Sequence, residues 1–101
     1  MFRSQRQVVE KFLSLLQWVQ IREGDRFKIV LNIAGRSRKY FALSDQELHA
    51  SGTHTNPKQI PNSHYWVVTN NDTPKKQGII REVLQTLGYS AGAIRRAESA
   101  L

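Results

Sequence analysis

Four short hydrogen-bonding side chains stand together one residue after residues 65–68, an apolar run typical of a strand. They are Asn70, Asn71, Asp72 and Thr73. An asparagine amide both donates and accepts hydrogen bonds, so it can pair with the N6 and N7 edge of adenine in the major groove of DNA. The same residue types are common in turns, where they bond the neighbouring backbone. Base reading and turn formation are both consistent with this segment.

Two lysines, Lys75 and Lys76, follow in the first turn of a predicted helix. A cation is disfavoured there by about 0.3–1 kcal/mol at an exposed position, because the helix macrodipole is positive at its start. A phosphate would offset that cost, since free backbone N–H groups, the dipole and two ammonium groups would all face one anion. The alternative is that both lysines are solvated and that the helix forms in spite of this cost.

A second basic cluster lies further towards the N-terminus, just after a predicted helix end. It consists of Arg36, Ser37, Arg38 and Lys39. A charge run of this kind is usually a solvated face. Here two basic loops, each with hydroxyl or amide side chains, adjoin predicted strands, and this combination favours a single nucleic-acid surface.

The overall charge agrees with a polyanionic partner. Fifteen Lys and Arg stand against eight Asp and Glu, which gives the 101 residues a net charge of +7. The length predicts one domain over residues 1–101. The absence of cysteine excludes disulfides and thiolate metal sites and fits a reducing compartment. Polar residues interrupt the N-terminal apolar run, so we expect no signal peptide, no membrane contact and a cytoplasmic, nucleoid-associated protein.

The N-terminal region predicts a core helix of about four to five turns. Its apolar residues recur at helical spacing: Val8, Val9, Phe12, Leu13, Leu16 and Val19. Ser4 and Gln7 have the spacing of a capping box. Trp18 and Trp66 stand in apolar stretches, so we expect both in the core.

The middle of the chain is less regular. Residues 24–35 fit a strand or a helix, and we favour a helix with Asp25 as its N-cap and Gly35 at its end. A strand is predicted over residues 39–43, and Ser44 and Glu47 then form a capping box that leads a short helix. Residues 53–63, with two prolines, are predicted to be loop.

The C-terminal part again shows clear secondary-structure signals. Residues 65–69 predict the second strand, after which Thr73 as N-cap and Pro74 open a helix that ends at Gly88. A final helix is predicted over residues 90–101. The order helix, helix, strand, helix, strand, helix, helix predicts a small α+β domain that is mostly helical with a short antiparallel β-sheet.

Three motifs carry a family resemblance: GRSRKYF at residues 35–41, NPKQIPNSHYWVVTN at residues 56–70 and TPKK at residues 73–76. They resemble the C-terminal DNA-binding domain of the SeqA family of replication modulators. The resemblance extends from about Arg6 to the C-terminus. It implies a SeqA-like fold in which two loops grip a GATC site whose adenine is methylated on one strand.

The resemblance also assigns site residues by position. Arg36, Ser37 and Arg38 fall on the first loop, with serine in place of the family's threonine. Asn70 falls on the first recognition asparagine of the second loop, with Asn71 and Thr73 beside it, and Lys75 and Lys76 fall on basic positions near the phosphate backbone.

Two departures from the family pattern stand out. Asp72 occupies the place of the second recognition asparagine, and a carboxylate cannot donate to adenine N7 and is repelled by phosphate. The resemblance therefore leaves open whether this chain selects GATC. The family's N-terminal oligomerisation region precedes the matched part, so we expect this chain to be a monomer without the avidity gain of about 10²–10⁴ that paired sites give.

The competing functions have weaker support. His49, His54 and His64 belong to no catalytic or metal-binding motif, so we expect no enzyme activity, no cofactor and no metal. An RNA- or ribosome-binding protein and a sequence-nonspecific DNA-binding module remain the alternatives, because they would use the same charges. The sequence favours a non-catalytic module that binds duplex DNA, recognises adenine methylation, and acts in replication or in recognition of modified DNA.

Overall fold

The computed structural model describes residues 5–33, 39–51 and 56–101. It has four α-helices, one 3₁₀ helix and three short strands within these residues. In chain order they are α1 Gln5–Glu23, the 3₁₀ helix Gly24–Asn32, β1 Phe41–Ala42, α2 Asp45–Ser51, β2 Pro57–Gln59, β3 Trp66–Val68, α3 Thr73–Thr86 and α4 Ala91–Ser99. The predicted class is confirmed: a mostly helical α+β domain with a short antiparallel sheet.

The sheet has the order β1-β3-β2, and both pairings are antiparallel. Val67 in the central strand lies opposite Phe41 on one side and Lys58 on the other. The prediction that residues 53–63 are all loop is wrong for β2. Pro57 lacks a backbone N–H, but it is the first residue of an edge strand, where a missing donor is tolerated.

The core is formed where α1, the 3₁₀ helix and α3 meet the sheet. Its largest fully buried apolar side chains are Phe12, Phe27, Phe41, Leu16, Leu48, Ile60, Ile79 and Ile80. The Phe27 ring packs edge-to-face against Tyr65, with centroids 4.9 Å apart, and against Phe41 at 6.4 Å. These contacts connect the 3₁₀ helix to β1 and to the residue that precedes β3.

The helix predicted after α1 is confirmed, although as a 3₁₀ helix. Phe27, Val30 and Ile33 are buried at a spacing of three residues, which matches the three residues per turn of that helix. Asp25 is not its cap, because the N-cap position is Glu23, which makes no side-chain capping bond. The helix ends at Asn32, and Gly35 lies outside the described residues.

The capping predictions can be compared one by one. The Ser44 hydroxyl accepts from the Glu47 backbone N–H at 3.2 Å, as the capping box predicts, whereas Ser4 lies outside the described residues. α3 ends in a turn through Gly88 at φ +87°, and the Tyr89 N–H donates to the Leu84 carbonyl at 2.9 Å.

The expectation that both tryptophans are core is wrong for Trp18, which is 53% exposed, while Trp66 is half-buried. Trp18 lies beside the buried stripe of α1 rather than on it. It packs edge-to-face on Tyr89 with a centroid distance of 6.4 Å, and the Arg22 guanidinium lies 5.3 Å from its ring.

Candidate nucleic-acid interface

The loop between β3 and α3, residues 69–72, carries the predicted base-reading side chains. Its backbone is held in place from both sides. The Asn71 N–H donates to the Thr69 carbonyl at 3.0 Å, and the Thr69 hydroxyl donates to the Asn56 carbonyl at 2.6 Å. Asn70 is exposed between these bonds. The loop therefore presents an amide to solvent from a fixed backbone.

Asp72 is the N-cap of α3, a role that the sequence analysis gave to Thr73. Its Oδ1 accepts from the Lys75 backbone N–H at 2.9 Å, and its own carbonyl accepts from the Lys76 N–H at 3.0 Å. Aspartate is among the best N-cap residues, and its negative charge also suits the positive end of the helix. Thr73 is then the first helical residue, with Pro74 next to it.

This cap changes the expected anion site at the start of α3. The Lys75 N–H is already bonded to a carboxylate, so it is not free for phosphate. The charge of Asp72 also cancels much of the attraction that the macrodipole would exert on a second anion. Attraction of phosphate here depends on lysine and arginine side chains.

Lys75 is exposed and reaches towards the first strand. Its Nζ lies 5.2 Å from the centroid of the Tyr40 ring, within the range of a cation–π contact. The Tyr40 carbonyl accepts from the Val68 N–H at 3.0 Å. Tyr40 follows the basic cluster at Arg38 by two residues, and Val68 precedes Asn70 by two. The chain leaving the first predicted loop and the chain entering the second are therefore neighbours.

Arg36, Ser37 and Arg38 themselves lie outside the described residues. Lys39, the last member of that cluster, is exposed and lies 3.7 Å from the Glu47 carboxylate. Ion pairs at such exposed positions contribute little to stability.

Lys76 departs from its predicted place at the surface, because its side chain is fully buried. Its Nζ donates to the carbonyl oxygens of Thr69, at 3.0 Å, and of Asn71. Burial lowers the pKa of Lys76, and the nearby negative charge of Asp72 opposes that shift. The sequence contains a signal for this burial: Lys76 precedes Ile79, Ile80 and Val83 at the spacing of a single buried helix face.

Asn71 also differs from the expectation that the amides of this loop are exposed side by side. Its Oδ1 and Nδ2 are both buried, and neither has a hydrogen-bond partner in the part of the chain that the structure describes. A buried amide without partners costs about 1–3 kcal/mol. The amide of Asn71 is therefore buried, in contrast to the exposed Asn70.

A cleft of about 790 Å³ lies between α1 and this loop. Asn70 and Asp72 form one side of it, Glu10 and Leu13 of α1 another, and Lys58 of β2 also borders it. Lys58 is an exposed cation that the sequence analysis did not select as a site residue. It lies opposite Val67 in the sheet and borders the same cleft as Asn70.

Other kinds of site find no support in residues 5–33, 39–51 and 56–101. No three His, Asp or Glu side chains among them gather as ligands for a metal ion. No helix within this part of the chain is both long and apolar enough to span a bilayer.

Comparison with known proteins adds independent information. The family model for the SeqA protein C-terminal domain matches residues 1–100. A negative modulator of initiation of replication from Idiomarina loihiensis is 45% identical over 89 residues, which are 88% of this chain and 56% of that protein. The namesake from Vibrio cholerae serotype O1 is 34% identical over 95 residues, 94% of this chain and 54% of that protein.

A solved structure agrees with these sequence matches. The crystal structure of V. cholerae SeqA matches with a TM-score of 0.85 and 28% identity, covering 99% of this chain and 83% of that one. The chain spans about half the length of the curated relatives described above.

Proposed function

Because this chain belongs to the family of SeqA C-terminal domains, we propose that it is a non-catalytic module that binds duplex DNA through the major groove. The site we propose is a short GATC-like sequence with N6-methyladenine on one strand. The observation that carries the proposal is the exposed Asn70 on a loop whose backbone is held on both sides. An exposed amide on a backbone held in this way suits adenine, whose N7 accepts and whose N6 donates.

The proposed DNA surface has two parts that differ in role. We assign Arg36, Ser37 and Arg38 to its first part, as the family resemblance implies, and Asn70 to the reading position of its second part. Lys75 and Lys58 are exposed cations near Asn70 that we assign to phosphate contacts. Phosphate contacts position the protein on the duplex, and base contacts select the sequence.

The neighbouring strands support placing both loops on one duplex. The bond from the Val68 N–H to the Tyr40 carbonyl holds the exit of the first loop against the entry of the second. The contact of Lys75 with the Tyr40 ring adds a cation at the same place. This proximity of Tyr40 and Val68 supports the proposal that the segments next to them contact one duplex.

Asp72 favours a second candidate function, which is DNA binding with little sequence preference. Its carboxylate is exposed and stands two residues from Asn70. It repels phosphate and cannot donate to a base, so it weakens selection at the position next to the one that Asn70 reads. The cations act on any duplex, so affinity without selectivity would result.

For the biological role, we propose modulation of replication or recognition of modified DNA in a nucleoid-associated protein. The support is the name of the relatives, which are negative modulators of initiation of replication. We propose that the chain acts as a monomer on a single site.

One binding series tests the proposal. Three duplexes of equal length contain GATC in unmethylated, hemimethylated and fully methylated form, and a fourth replaces GATC by a scrambled sequence. We expect the hemimethylated duplex to bind most tightly. Equal affinity for all four would favour nonspecific DNA binding, and displacement of every duplex by an equal concentration of RNA would favour an RNA-binding protein.

A further inference from the structure

Lys76 holds the loop that carries Asn70 through hydrogen bonds to the loop backbone. Its ammonium donates to the carbonyl oxygens of Thr69 and Asn71, the two residues that flank Asn70. We infer that Lys76 is a positioning residue: it fixes the peptide group that precedes Asn70 and the peptide group that follows Asn71, and so sets the direction in which the Asn70 amide leaves the loop. The inference rests on the proposed function, in which Asn70 contacts a base.

The burial of Lys76 explains why these carbonyls turn inward. Its side chain is fully buried, and Thr69 is 4% exposed. A buried ammonium requires hydrogen-bond acceptors, and a buried carbonyl requires a donor. Each group satisfies the other. From the side of α1, the Phe12 ring lies 6.0 Å from the ammonium and adds a weak cation–π attraction.

Removal of the ammonium would leave two carbonyl oxygens without this donor. A carbonyl can regain a partner by rotating towards water, and rotation of the peptide group between Thr69 and Asn70 turns the Cα–Cβ bond of Asn70. The bond from the Asn71 N–H to the Thr69 carbonyl would be disturbed by the same rotation. The exposed amide would then sample several directions, and its pairing with a base edge would weaken.

A phosphate contact and a positioning role give different binding data. A lysine that neutralises a phosphate contributes about 0.9 to the slope of log affinity against log salt and acts on all sequences alike. A positioning residue leaves that slope unchanged and lowers the preference for the selected site. Lys75 is the matched comparison, because it carries the same charge, precedes Lys76 directly and is exposed.

The experiment compares Lys76→Met with Lys75→Met on a hemimethylated GATC duplex and on a scrambled duplex over a range of salt. For Lys75→Met we expect a slope flatter by about 0.9 and equal weakening on both duplexes. For Lys76→Met we expect an unchanged slope and a preference for the GATC duplex lowered about tenfold, the order of a lost base contact. A flattened slope with unchanged preference in Lys76→Met would overturn the inference.

A second measurement uses the unchanged protein, in case Lys76→Met does not fold. In nitrogen-15 NMR spectra we expect the Lys76 ammonium protons to exchange slowly with water and its signal to stay in place when the hemimethylated duplex is added, while the Lys75 signal shifts. Rapid exchange of the Lys76 ammonium in the free protein, or a shift on DNA equal to that of Lys75, would contradict the positioning role.

The two proposals can fail separately. A chain that binds none of the duplexes would reject the proposed function. In that case slow exchange of the Lys76 ammonium and of the Asn71 amide in the free protein would support the hold on the loop, and rapid exchange of either would reject it.

Discussion

The carboxylate of Asp72 and the backbone N–H of Lys75 form a hydrogen bond of 2.9 Å at the start of α3. This bond gives Asp72 a structural role, as the N-cap of α3, at a position where the family resemblance implies a recognition asparagine. It also means that charge and capping can be separated by mutation. Asparagine caps a helix about as well as aspartate but carries no charge, whereas alanine removes both properties.

We expect Asp72→Asn to raise affinity for hemimethylated GATC, because a negative charge beside the DNA backbone is removed and an amide donor is gained. The free energy of unfolding should fall slightly, by up to about 1 kcal/mol, since the negative charge that suits the positive start of the helix is lost. Asp72→Ala is the control: it removes the same charge without adding a donor, and loss of the cap should cost about 1 kcal/mol. Weaker hemimethylated-GATC binding by Asp72→Asn at fixed salt would show that Asp72 accepts a hydrogen bond from a base.

Replacement of Asn70 tests base reading directly. Asn70→Ala should cost about 1–3 kcal/mol of binding free energy on the preferred duplex and much less on a scrambled duplex. The exposed side chain contributes little packing, so the melting temperature should stay the same. Equal losses on the two duplexes would instead assign Asn70 to the turn or to a phosphate contact.

The cations are tested by salt dependence. Arg38→Ala and Lys58→Ala should each flatten the log–log slope of affinity against salt by about 0.9 and weaken all duplexes similarly. Arg95 on α4 is the control, because it is equally charged and exposed on a helix that packs against α3. If Arg95→Ala flattens the slope as much as Lys58→Ala does, the phosphates are not confined to the proposed surface.

The sequence predicts the long elements well because their signals extend over several turns. α1 and α3 show apolar residues at helical spacing, and Gly88 marks the end of α3 through a backbone conformation that favours glycine. β2 is not predictable in the same way. It has three residues, one of them proline, so alternation is too short to detect, and its pairing with β3 depends on the rest of the fold.

In the candidate site too, some features follow from the sequence and others do not. The residue types of the loop, with the resemblance, predict Asn70 and Lys75 as site residues, and both are exposed. The residue types do not separate Lys75 from Lys76, since both are lysines and only the position relative to Ile79 and Ile80 distinguishes a surface residue from a buried one. Burial of an ammonium depends on carbonyls supplied by the preceding loop, and composition gives no information about them.

Tyr89 gives a pH-dependent prediction. Its hydroxyl donates to the Glu23 carboxylate at 2.9 Å. Burial and the bond to Glu23 raise the pKa of Tyr89 above its ordinary value of 10.0. Because the folded state holds this proton more tightly than the unfolded state, the stabilisation is complete below pH 10.0 and is lost as the pH rises through the folded-state pKa.

We therefore expect Tyr89→Phe to be less stable than the unchanged protein at pH 8, with a difference that shrinks as the pH is raised above 10. Urea unfolding at a series of pH values measures this difference. A gap that stays constant through this range would show that the phenol loses its proton equally easily in both states.

The buried amide of Asn71 gives the last prediction, in which stability and binding are expected to change in opposite directions. Its two polar side-chain atoms are buried without partners within the described residues, and its φ is not in the left-handed region, so leucine of similar shape fits the backbone. Asn71→Leu should raise the free energy of unfolding by about 1 kcal/mol, because an unpaired buried amide is replaced by an apolar group.

If the amide of Asn71 turns outward to DNA, the same change should lower affinity for the hemimethylated duplex more than for the scrambled one. Urea unfolding and binding of both duplexes by Asn71→Leu separate these effects, and Asn71→Ala serves as the control that removes the amide without filling its space. Higher stability with unchanged binding would limit the reading role to Asn70. Lower stability of Asn71→Leu would instead mean that the amide has a partner that stabilises the folded loop. The buried amide of Asn71 would then serve the structure of the loop and not the binding of DNA.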